Sequence, residues 1–529
     1  MTRSRSPERH DTKVGEADYD RPAARCRGVA PPLTRPRSGV IAERYDVIIV
    51  GAGVAGLSAS LASIERIVER GADDARIAVL ERASRLDRGG NTRYSTATFR
   101  MKDVHTINDD FIDRLRAKTD ASEEYIQVLA RQASEAVLWA QGQGLEFAPG
   151  PRVFLTSSDT RIQPEGAGAA IVRHFFSRVE DASRGRFFGP DNDRALAVEV
   201  LYETTAVRLV LDEEGAVAGI EARDRAGMLS RLDAPAVVLA SGGFEGDSEM
   251  MARYIGFDLP TVSRGGAHNR GEGIQMALDV GARPTGQWNQ FHPLPADPRT
   301  AGAASGLMTF AAVMETVPYS LMVNKSGDRF MDEGATSMDY LYDLVGRSVQ
   351  RQPSQTGYAV FDSKAMTLPH YRKAVLRDKV FEPYQADTVK GLATLIGVDG
   401  EALTATVASY NAAVPQDDAQ FDAMRLDGLS TDGLTPPKSN WARSLDTPPF
   451  YCYPVTCSNV FTMGGIGTDH TARVIDVDGI PIPGLYAAGE MTGIYRDKYV
   501  GATSVLRGLV FGRLAGYNAV DQSFNQARP

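Results

Sequence analysis

One stretch constrains the fold more than any other. Tyr45 to Gly56 reads YDVIIVGAGVAG, an apolar, β-branched run that empties into Gly51-Ala52-Gly53-Val54-Ala55-Gly56. Val47 to Val50 reads as a buried parallel strand. Gly51 and Gly53 permit a tight turn with close backbone approach to a pyrophosphate, and Gly56 lets the following helix pack on the strand. Phosphates then sit at that helix's N-terminus, where free N–H groups and the helix dipole favour negative charge. A second strand, Arg76 to Leu80, ends in Glu81, a carboxylate placed for a ribose 2′-OH. Glu81 falls 25 residues beyond Gly56, a little past the usual ~20, because the helix through Leu61, Ile64, Ile67 and Val68 is slightly long. The stretch predicts a dinucleotide-binding α/β domain.

With 529 residues the chain exceeds one ordinary core of ~100–150 residues, so two or more domains are expected. A net charge of −9 argues against a nucleic-acid or anionic-membrane surface, and no apolar run approaches the ~20 residues of a transmembrane segment. Cys26, Cys452 and Cys457 are the only cysteines. Three thiols cannot supply four cluster ligands, so the chain holds no iron–sulfur cluster of its own and reads as cytoplasmic, with thiols reduced. Cys452 and Cys457 read as buried, inert thiols flanking a strand.

Residues 1–43 are rich in Arg, Pro, Asp and Ser and are expected to be disordered. Residues 44–250 read as the first part of the dinucleotide domain. Within it Asp109 to Gln143 has a helical pattern with Phe111, Leu115, Tyr125, Val128, Leu129, Ala136 and Leu138 as buried positions. Val198 to Val207, Val217 to Ala222 and Ala236 to Leu239 read as strands, the last ending in the glycine turn Gly242-Gly243. Residues 251–440 break that rhythm and read as an inserted α+β capping domain. It opens with a turn and short helix at Gly271 to Ala277 and holds a strand at Tyr319 to Asn324, with strand–turn–strand through Phe330. Residues 441–529 return to the dinucleotide domain through strands at Val474 and Gly484, then a helix through Phe511 and Ala515.

Four segments resemble the flavoprotein family of fumarate reductase and succinate dehydrogenase. They are the GAGVAG turn with Glu81; Gly89-Gly90-Asn91-Thr92; Gln290-Phe291-His292-Pro293 with Asn324 to Phe330; and Ala487-Ala488-Gly489-Glu490 with Phe511-Gly512-Arg513. The resemblance implies FAD on a Rossmann-like, GR2-type domain. It maps FAD contacts onto Gly51, Gly53, Ala55, Gly56, Glu81, Arg82, Gly90, Asn91, Thr92, Ser95, Val207, Glu490, Ser504 and Leu506. Members that attach FAD covalently use a histidine after the Asn91 position. Residues 92–101 contain none, so non-covalent FAD is expected.

Interconverting an alkane and an alkene beside a carboxylate or carbonyl needs a hydride acceptor, a group for the α-proton and donors for the developing enolate. The resemblance gives His292 a substrate-binding role. The family's other substrate residues do not recur: an arginine is replaced near Thr336-Ser337-Met338, a histidine falls at Val460, and the C-terminal arginine falls at Tyr499. Fumarate and succinate are therefore unfavoured. The run Lys498 to Arg513 looks most like the tricarballylate dehydrogenase branch, which implies a polycarboxylate substrate and a separate iron–sulfur electron-transfer partner. The alternative is a 3-ketosteroid Δ1-dehydrogenase, whose C-terminal Tyr-x-Gly resembles Tyr499-Val500-Gly501 and polarises a ketone. Tyr499 as a base needs positive charge nearby, with Lys498, Arg496 and Arg507 as sources. A third reading, a flavin-binding electron-transfer subunit without its own substrate, would explain the lost arginines but not the retained His292.

Overall fold

A computed structural model describes residues 43–526 apart from 73, 151–159, 188–195, 257–265, 301–312, 315 and 369–380. In chain order come β1 (Glu43–Arg44), β2 (Val47–Val50), α1 (Val54–Glu69), β3 (Arg76–Glu81), α2 (Phe111–Lys118) and α3 (Glu123–Gly142). They are followed by β4 and β5 (Phe147–Pro149 and Ile162–Pro164), α4 (Ala167–Ser183), β6 (Ala197–Tyr202), β7 (Thr205–Leu211), β8 (Val217–Arg223), β9 (Leu229–Asp233) and β10 (Val237–Leu239). Next are α5 (Ser248–Tyr254), α6 (Glu272–Asp279), β11 (Pro284–Thr285), β12 (Phe291–Ala296), β13 (Leu321–Val323), α7 (Met338–Gln350), β14 (Thr356–Asp362) and β15 (Tyr384–Ala386). The chain closes with β16 (Phe450–Thr462), β17 (Gly465–Ile466), β18 (Arg473–Ile475), β19 (Pro481–Ala487) and α8 (Ser504–Gln526).

The six-stranded sheet runs β18-β19-β10-β2-β3-β6. From β19 to β6 every pairing is parallel, and only the edge strand β18 is antiparallel. Val47 to Val50 is buried on both faces, as a central strand between parallel neighbours must be. A second sheet, β1-β9-β8-β7, packs beside it, and a five-stranded sheet joins β12, β16, β14 and β13, with β15 on β16. Strand β16 lies in the 441–529 stretch yet pairs with strands drawn from residues 251–440.

Helices α1 and α8 meet through glycines. A Cβ at Gly512 would lie 2.4 Å from the Ala55 carbonyl oxygen, and one at Gly516 would lie 2.3 Å from that of Ala59. With no side chain between them the two backbones approach closely, which fixes the N-terminus of α1 against α8.

Four local expectations need correction. Glu43, read as the end of a disordered tail, sits in β1 opposite Leu232, while residues 1–42 and Cys26 lie outside the described residues. Leu138 is 41% exposed, because α3 buries Tyr125, Leu129, Ala133, Ala136 and Ala140 on the opposite side. The run Val198 to Val207 is two strands in different sheets, broken at Glu203, whose φ is +52°. After β13 the returning limb makes a single bridge, Val323 to Arg329, instead of a strand. Cys452 and Cys457 lie within β16, both buried, and burial pushes the Cys457 thiol up to about 12. Such thiols are inert.

Candidate active site

The turn from β2 into α1 can be made only by glycine. Gly51 has φ +101°, and a Cβ there would lie 2.5 Å from the Ala240 carbonyl oxygen; a Cβ at Gly56 would lie 1.8 Å from that of Gly51. Gly53 caps α1 without a side chain, and the first turn of α1 borders a cavity walled by Gly53, Ala55, Gly90, Asn91 and Thr92. Thr92 is fixed by its Oγ1, which accepts the Val54 N–H at 2.9 Å. Glu81, Arg82, Thr205 and Ala206 also wall the cavity. Glu81 is buried and accepts the Ala83 N–H at 2.8 Å, and burial raises its carboxyl above the ordinary value. Arg82 is held by Glu272 at 2.5 Å.

Ser95, Glu490 and Ser504 wall the same cavity. Three residues of the expected set lie off the wall. Gly56 is under the turn, Leu506 is fully buried in the core between Val505 and Arg507, and Val207 sits at a bulge of β7 whose neighbours Thr205 and Ala206 face the cavity instead.

His292, Tyr499 and Arg507 also border this cavity. His292 is the second residue of β12, and Tyr499 lies in the loop before α8. Their ring centroids are 4.8 Å apart. Around His292 stand Tyr342 of α7 at 5.3 Å and Phe461 of β16 at 5.0 Å, and Tyr495 packs on Tyr499 at 5.1 Å. The hydroxyl of Tyr499 accepts the N–H groups of Thr503 and Ser504, each at 3.0 Å, and donates to Ser504 Oγ at 3.0 Å. It thereby caps α8. Arg507 is buried and donates to the carbonyl and hydroxyl oxygens of Thr492. The other two cations considered for Tyr499 turn elsewhere: Arg496 pairs with Asp120 and Lys498 stands over Tyr340.

Several site residues carry no motif. Tyr342, Phe461 and Tyr495 are ordinary aromatic positions in sequence and converge only through the tertiary fold. Two arginines approach Gly501, since a Cβ there would lie 3.7 Å from Arg100 and 4.0 Å from Arg161. Glu245 stands just after the Gly242-Gly243 turn, and its Oε1 accepts from Asn91 at 2.5 Å and Asn269 at 2.6 Å. Its position beside that turn was the available signal.

Comparison with known proteins decides the family. Residues 46–505 match the FAD binding domain family model. This chain is a member of the fumarate reductase and succinate dehydrogenase group of FAD-binding flavoproteins. It is 27% identical over 502 residues to a probable fumarate reductase of Shewanella frigidimarina, covering 92% of this chain and 76% of that one. It is 29% identical over 568 residues to a 4-oxocyclohexanecarboxylate 2-dehydrogenase of Sinomonas cyclohexanicum, covering 92% and 94%. The open conformation of a flavocytochrome c3 fumarate reductase superposes with a TM-score of 0.69 at 24% identity, over 91% of this chain and 79% of that one, a likeness of fold.

The chain is an FAD-dependent oxidoreductase acting on C=C or CH–CH bonds. The cavity fits FAD: a glycine turn and side-chain-free helix N-terminus suit the pyrophosphate, and buried Glu81 suits a ribose hydroxyl. Bound there, FAD supplies the hydride acceptor or donor. Among the described residues no helix is long and apolar enough to cross a membrane.

Proposed function

We propose that this oxidoreductase acts on a CH–CH bond beside the carbonyl of a compact ring substrate. The observation that supports this is the aromatic enclosure of His292, with Tyr342, Phe461 and Tyr499 at 4.8 to 5.3 Å. A chamber walled by rings favours a flat, largely apolar body. His292 and Tyr499 provide donors for one carbonyl oxygen, where charge develops as the α-proton leaves. Tyr499 reaches that oxygen by rotating its O–H away from Ser504 Oγ, at the cost of one neutral hydrogen bond, about 1 kcal/mol. The two N–H groups it accepts stay in place and polarise it. The Sinomonas relative is named for an activity of this type, on a ring that carries both a ketone and a carboxylate.

A second reading, a tricarballylate dehydrogenase-like polycarboxylate dehydrogenase, draws support from Arg100 and Arg161 beside Gly501 and from Arg507 at the cavity wall. Three guanidinium groups near one loop suit carboxylates. On either reading residues 251–440 together with β16 form the substrate-facing unit. The second reading brings with it a separate iron–sulfur electron-transfer protein, as the resemblance to the tricarballylate dehydrogenase branch implies, and three cysteines are consistent with a cluster held elsewhere. Free, buried Cys452 and Cys457 suit a reducing, cytoplasmic setting.

The test is anaerobic flavin bleaching by 4-oxocyclohexanecarboxylate, a 3-ketosteroid, tricarballylate and succinate. Faster bleaching by a cyclic ketone supports the first reading, and by tricarballylate the second. Succinate as the fastest reductant would contradict both. Bleaching by none at full FAD occupancy would favour an electron-transfer subunit.

A further inference from the structure

Glu245 is 2% exposed and does not itself border the cavity, yet it touches three residues that do. Its Oε1 accepts from the carboxamides of Asn91 and Asn269. Its Oε2 turns towards Glu490 and finds no partner among ordinary donors. Gly243 makes that meeting possible: a Cβ there would lie 2.2 Å from Glu490 Oε1 and 2.8 Å from Glu245 Oε2. Both oxygens therefore converge on one point that only a glycine leaves open.

Two carboxylates this close in a buried site cannot both ionise, so one proton is shared between them. The surroundings decide which residue keeps it. Glu490 accepts the Thr462 N–H at 3.1 Å and an Asn91 contact at 3.4 Å, and it feels the charge of Arg507. Glu245 has the two neutral carboxamides and its own backbone N–H, and no cation. Thr462 Oγ1 stands 2.4 Å from the same Gly243 Cβ position, and the Val460 carbonyl of β16 accepts from Asn91 at 3.1 Å; neither group ionises. His268 precedes Asn269 and borders the cavity, and Arg82, which donates to the His268 carbonyl at 3.4 Å, is neutralised by Glu272. The negative charge belongs on Glu490.

We propose that Glu245 is a positioning residue for FAD, held as the neutral acid so that it donates to Glu490 while its other oxygen orients Asn91 and Asn269. Burial and the neighbouring charge of Glu490 both push the Glu245 carboxyl well above the ordinary range. The pair thus presents one negative charge, and Asn91, Asn269 and Glu490 are fixed as cofactor-facing groups. Loss of the shared proton at alkaline pH puts two charges in a buried site, which separates them and disturbs all three.

The experiment uses holoenzyme of the wild type, Glu245→Gln and Glu245→Ala, and measures FAD retained after gel filtration and the FAD dissociation constant from pH 6 to pH 10. Glutamine reproduces the neutral acid: its carbonyl accepts from Asn91 and Asn269 and its N–H donates to Glu490. The wild type should release FAD as pH rises, whereas Glu245→Gln should retain it with a flat profile. Alanine should weaken FAD binding roughly tenfold or more, as expected when buried polar partners are left unmatched. Should Glu245→Ala fail to fold, the wild-type and glutamine profiles decide alone. FAD loss by Glu245→Gln at neutral pH, or identical pH profiles for it and the wild type, would overturn the proposal.

Discussion

The rings of His292 and Tyr499 lie 4.8 Å apart and are tilted by 56°. One belongs to the five-stranded sheet and the other to the loop before α8, so this contact is where the two halves of the cavity meet. If both polarise one substrate oxygen, His292→Ala and Tyr499→Phe should each lower turnover by roughly 10²-fold, the loss expected for an oxyanion donor. FAD content should be unchanged, since neither residue is assigned to the cofactor. A Tyr499→Phe enzyme of normal rate would remove Tyr499 from the chemistry.

The Tyr499 hydroxyl also caps α8, and this role separates the two variants. Removing it leaves the Thr503 and Ser504 N–H groups without their acceptor, a loss of about 0.5–2 kcal/mol by analogy with other helix caps. The denaturant midpoint should fall for Tyr499→Phe. Equal midpoints for that variant and the wild type would show that water satisfies the helix end equally well.

Residues 92–101 carry no histidine, so acid precipitation should release FAD intact into the supernatant. Yellow colour remaining with the precipitated chain, measured by its absorbance after washing, would reveal a covalent link elsewhere.

Gly512→Ala places a methyl group 2.4 Å from the Ala55 carbonyl. Backbone cannot yield as a side chain does, so α1 and α8 must separate, at a cost of about 1–3 kcal/mol. Ala55 borders the cavity, so FAD affinity should fall together with the unfolding midpoint. Gly142→Ala, where nothing lies within 4 Å of the added Cβ, is the control and should leave FAD affinity alone.

The cofactor half of the site was legible because its constraints are local. A strand, a glycine turn and a helix N-terminus lie within Val47 to Val54, and Glu81 ends the adjacent parallel strand. The substrate half was legible only at His292 and Tyr499, through family motifs. Tyr342, Phe461 and Tyr495 gather from a helix, a strand and a loop far apart in sequence, and no spacing rule marks them. Glu245 needs both Gly243 and Glu490 to acquire its meaning. Leu138 shows the converse limit: an apolar residue within a helical run still falls outside the stripe that packs, since burial follows the angular position on the helix.

The last expectation concerns a buried cation. Lys438 is 1% exposed; its Nζ donates to the Ser320 carbonyl at 2.9 Å and lies 3.5 Å from Glu333, which Arg329 holds at 2.7 Å. Burial pushes the Lys438 ammonium down to about 8. Below that pH both folded and unfolded chains carry the proton, and the full penalty of burying the charge is present. Between about 8 and the ordinary lysine value of ~10.4 the unfolded chain binds more protons than the native one, so this contribution to stability rises with pH. Arg329 keeps Glu333 paired when Lys438 becomes neutral. Urea unfolding of the wild type and Lys438→Met at pH 7, 8, 9 and 10 isolates the effect, because other titrating groups act on both proteins alike. The difference should move in favour of the wild type by up to about 3 kcal/mol across that window. A difference that stays constant with pH would mean that Lys438 remains charged throughout, with Glu333 and Ser320 fully offsetting its burial.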